Sequence, residues 1–170
     1  MRSADVLTDA FERIRGVVHE VVEGLDPEQL VFRPDAAANT IAWLVWHLTR
    51  VADDHVAAAA GSPQVWTSQG WVDQFGLPFD SSEIGYGMDP ADVDLVRVAS
   101  VDLLLSYFDA VWTAVIDYVG DLEDGDLDRV VDVRWDPPVT LGVRLVSVIT
   151  DGLQHAGQAA YLRGLVERLD

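Results

Sequence analysis

The 170-residue sequence has no cysteine, and none of its 11 basic residues is lysine. The first absence removes a disulfide framework and any protein thiolate that would serve as ligand or nucleophile. The second, beside abundant Ala, Val, Asp and Gly, reads as the codon bias of a GC-rich genome and bears little on mechanism. Positive charge is scarce altogether, and 29 acidic residues bring the net charge to −18. Nucleic-acid binding draws most of its affinity from basic groups that neutralise phosphates, and the sequence holds no basic stripe or patch. Neither a nucleic acid nor an anionic membrane surface is expected as partner. Long apolar runs are also missing: the best candidates, around residues 103–105 and 143–149, are interrupted by Asp, Arg or Ser. No membrane span is expected. The opening Met1-Arg2-Ser3-Ala4-Asp5 leads into a segment with Asp9, Glu12 and Arg13, unlike the apolar core of a secretory signal. The expected location is cytoplasmic.

Half of the residues are apolar, enough for a packed core, and the length suits a single domain over residues 1–170. Periodicity and caps predict four long helices. The first runs from about Asp5 to Glu23, with Val6, Ala10, Phe11, Ile14, Val17, Val18 and Val21 at helical spacing and Gly24 as its stop. Asp26-Pro27-Glu28-Gln29-Leu30 reads as a capped helical turn. The second long helix starts at Asn39 or Thr40 and ends near Ala60, before Gly61-Ser62-Pro63. Residues 61–90 then form a connection rich in Gly, Pro, Ser and Trp, too long for an idle loop; it crosses the bundle or builds part of a site. A third helical region covers about Ala91 to Val119, with Ser100 a candidate cap inside it. Val130–Trp135 alternates and reads as extended, and Thr140 caps a last helix to about Arg168. The expectation is all-α: a four-helix bundle with one long crossover connection. Apolar faces on the first and third helices permit a homodimer without requiring one.

At about 100° per residue, His47 falls within about 60° of Trp43, Leu44, Val51, Asp54 and Ala58, so it points into the core. Asp151 and His155 share one face of the last helix at i, i+4, among Leu141, Arg144, Val148, Gly152, Ala159, Leu162 and Val166. A carboxylate on such a face needs a positive partner: Arg144, a protonated His, or a metal ion. Two imidazoles and a carboxylate from two helices suit Zn²⁺, Fe²⁺ or Ni²⁺ and leave coordination positions open. From periodicity alone, an i, i+4 Asp–His pair such as Asp151 and His155 is more often a local hydrogen bond or a solvated pair. His55, about 80° further round its helix, competes with His47, and His19 beside Glu20 reads as a surface residue. Arg144 either binds an anionic substrate group or pairs with Asp151. Tyr107 hydrogen-bonds near the site or is a core Tyr reaching the backbone. Trp66, Trp71, Phe75 and Trp135 wall a pocket or plug one end of the core. Gly152, Gly157 and Gly164 read as points of close helix approach.

The run Thr40-Ile41-Ala42-Trp43-Leu44-Val45-Trp46-His47-Leu48, together with Asp151-Gly152-Leu153-Gln154-His155-Ala156-Gly157-Gln158, resembles the DinB-like superfamily. Residues 139–145 extend the likeness, which covers nearly the whole chain. More narrowly it resembles an actinobacterial branch related to mycothiol-dependent maleylpyruvate isomerases and thiol S-transferases. The resemblance implies a divalent metal, with zinc first and nickel or iron as alternatives. Its ligands are a His on the second long helix and two residues four apart on the last, matching His47, Asp151 and His155. Among these, the acidic first member of the helical pair matches the thiol-transferase branch, with the shorter Asp side chain. The resemblance also implies a small-molecule or thiol co-substrate, mycothiol-type, which supplies the sulfur that the cysteine-free chain lacks. The expected function is a metal-dependent S-transferase or isomerase, with Arg144 and Tyr107 as its catalytic candidates. The alternative is a bundle that binds a ligand or dimerises without catalysis.

Overall fold

Three of the four long helices begin where a side-chain oxygen takes up an otherwise unpaired backbone N–H. In the computed structural model, which describes residues 1–169, Thr40, Ser100 and Thr140 accept from the N–H of Trp43, Leu103 and Val143. The chain runs α1 (Ser3–Val22), α2 (Pro27–Leu30), α3 (Ile41–Ala60), α4 (Val65–Ser68), α5 (Trp71–Phe75), α6 (Pro90–Leu95) and α7 (Val101–Gly120). A 3-10 turn (Asp124–Asp128), strands β1 (Val130–Asp132) and β2 (Val139–Thr140), and α8 (Leu141–Val166) complete it. The expected all-α bundle is α1, α3, α7 and α8. The third helical region is made of α6 and α7, and Ser100 caps the longer one, as expected. One detail is added. The extended segment is answered by a second short strand, giving an antiparallel hairpin.

In the bundle, α8 packs on α1 and α3, and α7 packs on the same two helices, so α7 and α8 sit diagonally. Residue pairings give the directions. Tyr107 meets Asp53, and Tyr118 meets the Ala59 carbonyl, so α3 and α7 run parallel. The Arg163 guanidinium donates to the carbonyls of Glu20, Val21 and Glu23 at the end of α1, so α1 and α8 also run parallel. Parallel neighbours cannot be joined by a tight turn. The chain after α3 must travel back along a helix roughly 30 Å long before α7 can start, which is why residues 61–100 are so numerous.

Phe11, Ile14, Leu44, Trp46, Tyr107, Phe108, Trp112 and Leu145 are among the fully buried residues that fill the centre. By length and composition α7 passes as a membrane span; here its Phe108, Val111, Trp112 and Val115 are buried in the bundle core. Of the three α8 glycines, Gly152 is a point of close approach: a Cβ there would sit 3.2 Å from Ile14 Cδ1 of α1. Gly157 and Gly164 are not, because no residue of another helix lies within 4 Å of where their Cβ would be.

The crossover is fastened to α3 by two buried charged residues. Arg50 donates to the carbonyls of Glu83 (3.1 Å) and Ser81 (3.4 Å) and to Gln64 Oε1 (3.0 Å). Asp53 accepts from the backbone N–H of Val65 (2.8 Å) and Trp66 (2.7 Å) and from the Tyr107 hydroxyl (3.1 Å). The pair itself closes at 3.5 Å. Burial pushes the Asp53 carboxyl above the usual carboxylate range, against the pull of its donors. Asp53→Ala should cost about 3–5 kcal/mol, because it strands Arg50 and two backbone donors in the interior. Asp53→Asn should recover part of that loss. Urea midpoints measure both, and an Ala variant within 1 kcal/mol of the parent would show that the clamp does not hold the crossover.

Candidate metal and substrate site

His47 lies on α3 one turn before Arg50, so the clamp that fastens the crossover also sets what lies over this imidazole. The Nδ1–H of His47 donates to the carbonyl of Ile84, which commits that nitrogen and leaves Nε2 as the free lone pair. The segment reaches so close because residue 85 is glycine. Its φ of +94° is a left-handed conformation, and a Cβ there would stand 2.6 Å from His47 Nδ1. Glu83 Oε1 accepts from the Ile84 and Gly85 N–H, bracing the turn. On its other side His47 stacks on Trp43, with ring centroids 4.5 Å apart and planes 14° apart. The Trp43 indole N–H is anchored on Met88 Sδ.

The i, i+4 pair on α8 faces this imidazole. His155 packs edge-on to His47, with centroids 4.8 Å apart, and its Nε2 is 3.4 Å from Asp151 Oδ1. Its Nδ1 faces Gln158 Oε1 at 3.2 Å. One ligand atom from each of His47, Asp151 and His155 lies within 4.8 Å of the other two. Burial lowers the pKa of His47 and favours its neutral, ligating form. Burial has the same effect on His155, but the hydrogen bond and charge of Asp151 outweigh it and raise the pKa. Asp151 Oδ2 is buried and accepts no hydrogen bond. A buried carboxylate oxygen rarely goes without a partner. Two imidazoles with their outer nitrogens engaged, plus one unanswered carboxylate oxygen, form a donor set that fits a divalent cation with open positions.

The other expected site residues are placed elsewhere. Arg144 pairs with Asp132 at 2.9 Å, not with Asp151, because the β1–β2 hairpin folds its own carboxylate over the start of α8. The same carboxylate takes a two-point contact from Arg134, which holds Asp132 far below the usual range. Tyr107 is fully buried with its hydroxyl on Asp53, and Trp66, Trp71 and Phe75 pack around its ring, so these aromatics plug the core. Trp135 is exposed. His55 lies beside Asp54 (3.2 Å). His19 bonds Asp109 across the α1–α7 seam at 2.9 Å and is half-buried rather than free on the surface.

Several residues of the site carry little trace in the sequence. Gln158 follows His155 at the spacing that faces it, which is legible in retrospect. Ile84 and Gly85 act through the backbone and give no such signal. Around Arg144 a recess of about 330 Å³ opens, lined also by Asp54, His55, Asp132 and Arg134. Seven residues separate Arg144 from Asp151, so this recess lies about 10 Å along the α3–α8 seam from the cluster.

No curated protein matches the chain. Among solved structures it is similar to a conserved protein from Enterococcus faecalis, 30% identical over 98% of both chains with a TM-score of 0.91. The mycothiol S-transferase family matches residues 6–168, spanning every helix of the bundle and all three residues of the cluster. The chain belongs to the mycothiol S-transferase family of DinB-like proteins.

Proposed function

We propose that this protein is a divalent-metal-dependent S-transferase that joins a mycothiol-type thiol to a small electrophile, with His47, Asp151 and His155 as the metal ligands. One observation carries the reading: the buried, unpartnered Asp151 Oδ2 beside two imidazoles whose outer nitrogens are engaged. A bound divalent cation would supply Lewis acidity, lowering the pKa of a thiol brought against it. Zinc suits a two-His, one-carboxylate set best. The chain's own residues do the rest. Ile84 and Gln158 fix the imidazole orientations. Trp43 and the crossover keep one side of the cluster dry. Arg144 spends only Nη2 on Asp132, so its remaining N–H donors are available to an anionic group of the substrate. In this reading Tyr107 is not a catalytic residue; it holds the crossover through Asp53.

Elemental analysis of protein purified without chelator or nickel resin should find about one metal per chain. His155→Ala should lose it, whereas a variant that keeps full stoichiometry would remove His155 from the site. Because protons compete with a metal for imidazole nitrogen, occupancy should fall as pH drops. The Asp151 contact raises the His155 pKa, so competition at this ligand should begin above the ordinary histidine value of about 6.5. Asp151→Asn removes a charged ligand and should move the midpoint of a metal-release titration to higher pH; an unmoved midpoint would remove Asp151 from the site.

A further inference from the structure

A second recess adjoins the cluster on the side opposite Arg144. Leu44 stands one turn before His47 on α3, and Gln158, which faces His155, lines the recess from α8. The loop from Pro34 to Asn39 closes its end, and Leu153 and Tyr161 are among its exposed apolar residues. Its volume is about 730 Å³, within the range of small-molecule sites. Charge is what sets it apart. A quarter of this chain's residues are charged, so its eleven lining residues would carry two or three charges at that frequency; they carry none. The recess at the Arg144 end is lined by two Asp, two Arg and a His.

We propose that the neutral recess is the acceptor site and takes an uncharged, apolar electrophile, while the charged recess takes the polar body of the thiol. The inference rests on the S-transferase reading, and it adds the class of the second substrate. An S-transfer needs both reactants to meet at one point, and the cluster lies between two recesses of opposite character on one helix seam. From Arg144 to Tyr161 that seam measures about 25 Å, room for two ligands end to end. In the transfer, the thiolate sulfur forms a bond to the electrophilic carbon. The bond from that carbon to its leaving group breaks, the leaving group departs with the electron pair, and the thiol proton goes to water. Burying an apolar acceptor against Leu44, Leu153 and Leu162 supplies affinity without a charge, and Gln158 stands between the acceptor and His155.

The test uses N-phenyl-1-naphthylamine, a neutral apolar fluorophore that brightens when bound, on the full chain with and without metal. It should bind saturably at one site per chain, whether or not metal is present. Gly157→Trp fills the recess from a position where a Cβ meets nothing within 4 Å. Leu153→Glu puts a charge into it. Each should weaken binding at least tenfold, while Val146→Trp, exposed on the same helix some 16 Å away, should leave it unchanged. In turnover with mycothiol, both recess variants should lower the preference for an apolar over a small polar electrophile at least tenfold. Absent binding, or binding indifferent to both variants, overturns the proposal. So does a dimer that Gly157→Trp converts to monomer without fluorophore binding, since the patch would then be an interface between copies. If the recess binds as expected but purified protein carries no metal, the metal-dependent reading fails and the recess stands.

Discussion

The buried Arg50–Asp53 pair is the contact on which the rest of the structure depends. Four helices in an up-down-down-up order require a crossover, and a crossover of some 40 residues has little reason to stay put. Its short helices α4 and α5 are too brief to be stable alone. Arg50 and Asp53 hold it by its backbone, at Val65, Trp66, Ser81 and Glu83, and so are indifferent to most of its side chains. Two charges are affordable in the core here because nearly every donor and acceptor they bring is answered, including the Tyr107 hydroxyl.

The same pair links fold to site. With the crossover fixed one helical turn from His47, the Ile84 carbonyl falls on the imidazole and selects its tautomer. The site is therefore not made by α3 and α8 alone. A bundle with the same three side chains and a loose crossover would hold His47 in the right place with the other nitrogen outward in part of the population. Trp43 adds a second restraint by stacking on the ring, so His47 is gripped on a face and at an edge.

Much of the fold was legible because its signals are local. Thr40, Ser100 and Thr140 are caps that can be read without tertiary knowledge, and the i, i+4 spacing of Asp151 and His155 holds in any helix. Choosing His47 over His55 needed the family likeness, since both lie on α3 within about 80° of each other. The partner of Arg144 was illegible for a different reason. Asp132 belongs to a two-stranded hairpin whose second strand is two residues long, and its position over α8 is a tertiary fact. Tyr107 likewise reads only as a polar interruption of an apolar face until Asp53 is seen opposite. Arg50 and Asp53 carry no local sign of burial: an i, i+3 charged pair usually marks the wet side of a helix, and here it marks the dry one.

Gly152 stands next to Asp151, where α8 presses on Ile14 of α1. The first helix contributes no side chain to the cluster, yet it is the surface against which α8 is seated. The bulk of Ile14, more than a hundred positions away, thus bears on the rotation of α8 about its axis, which would swing Asp151 and His155 together relative to His47. Exchanging Ile14 for a smaller or larger aliphatic side chain becomes a way to alter the spacing of the three donors without touching any of them.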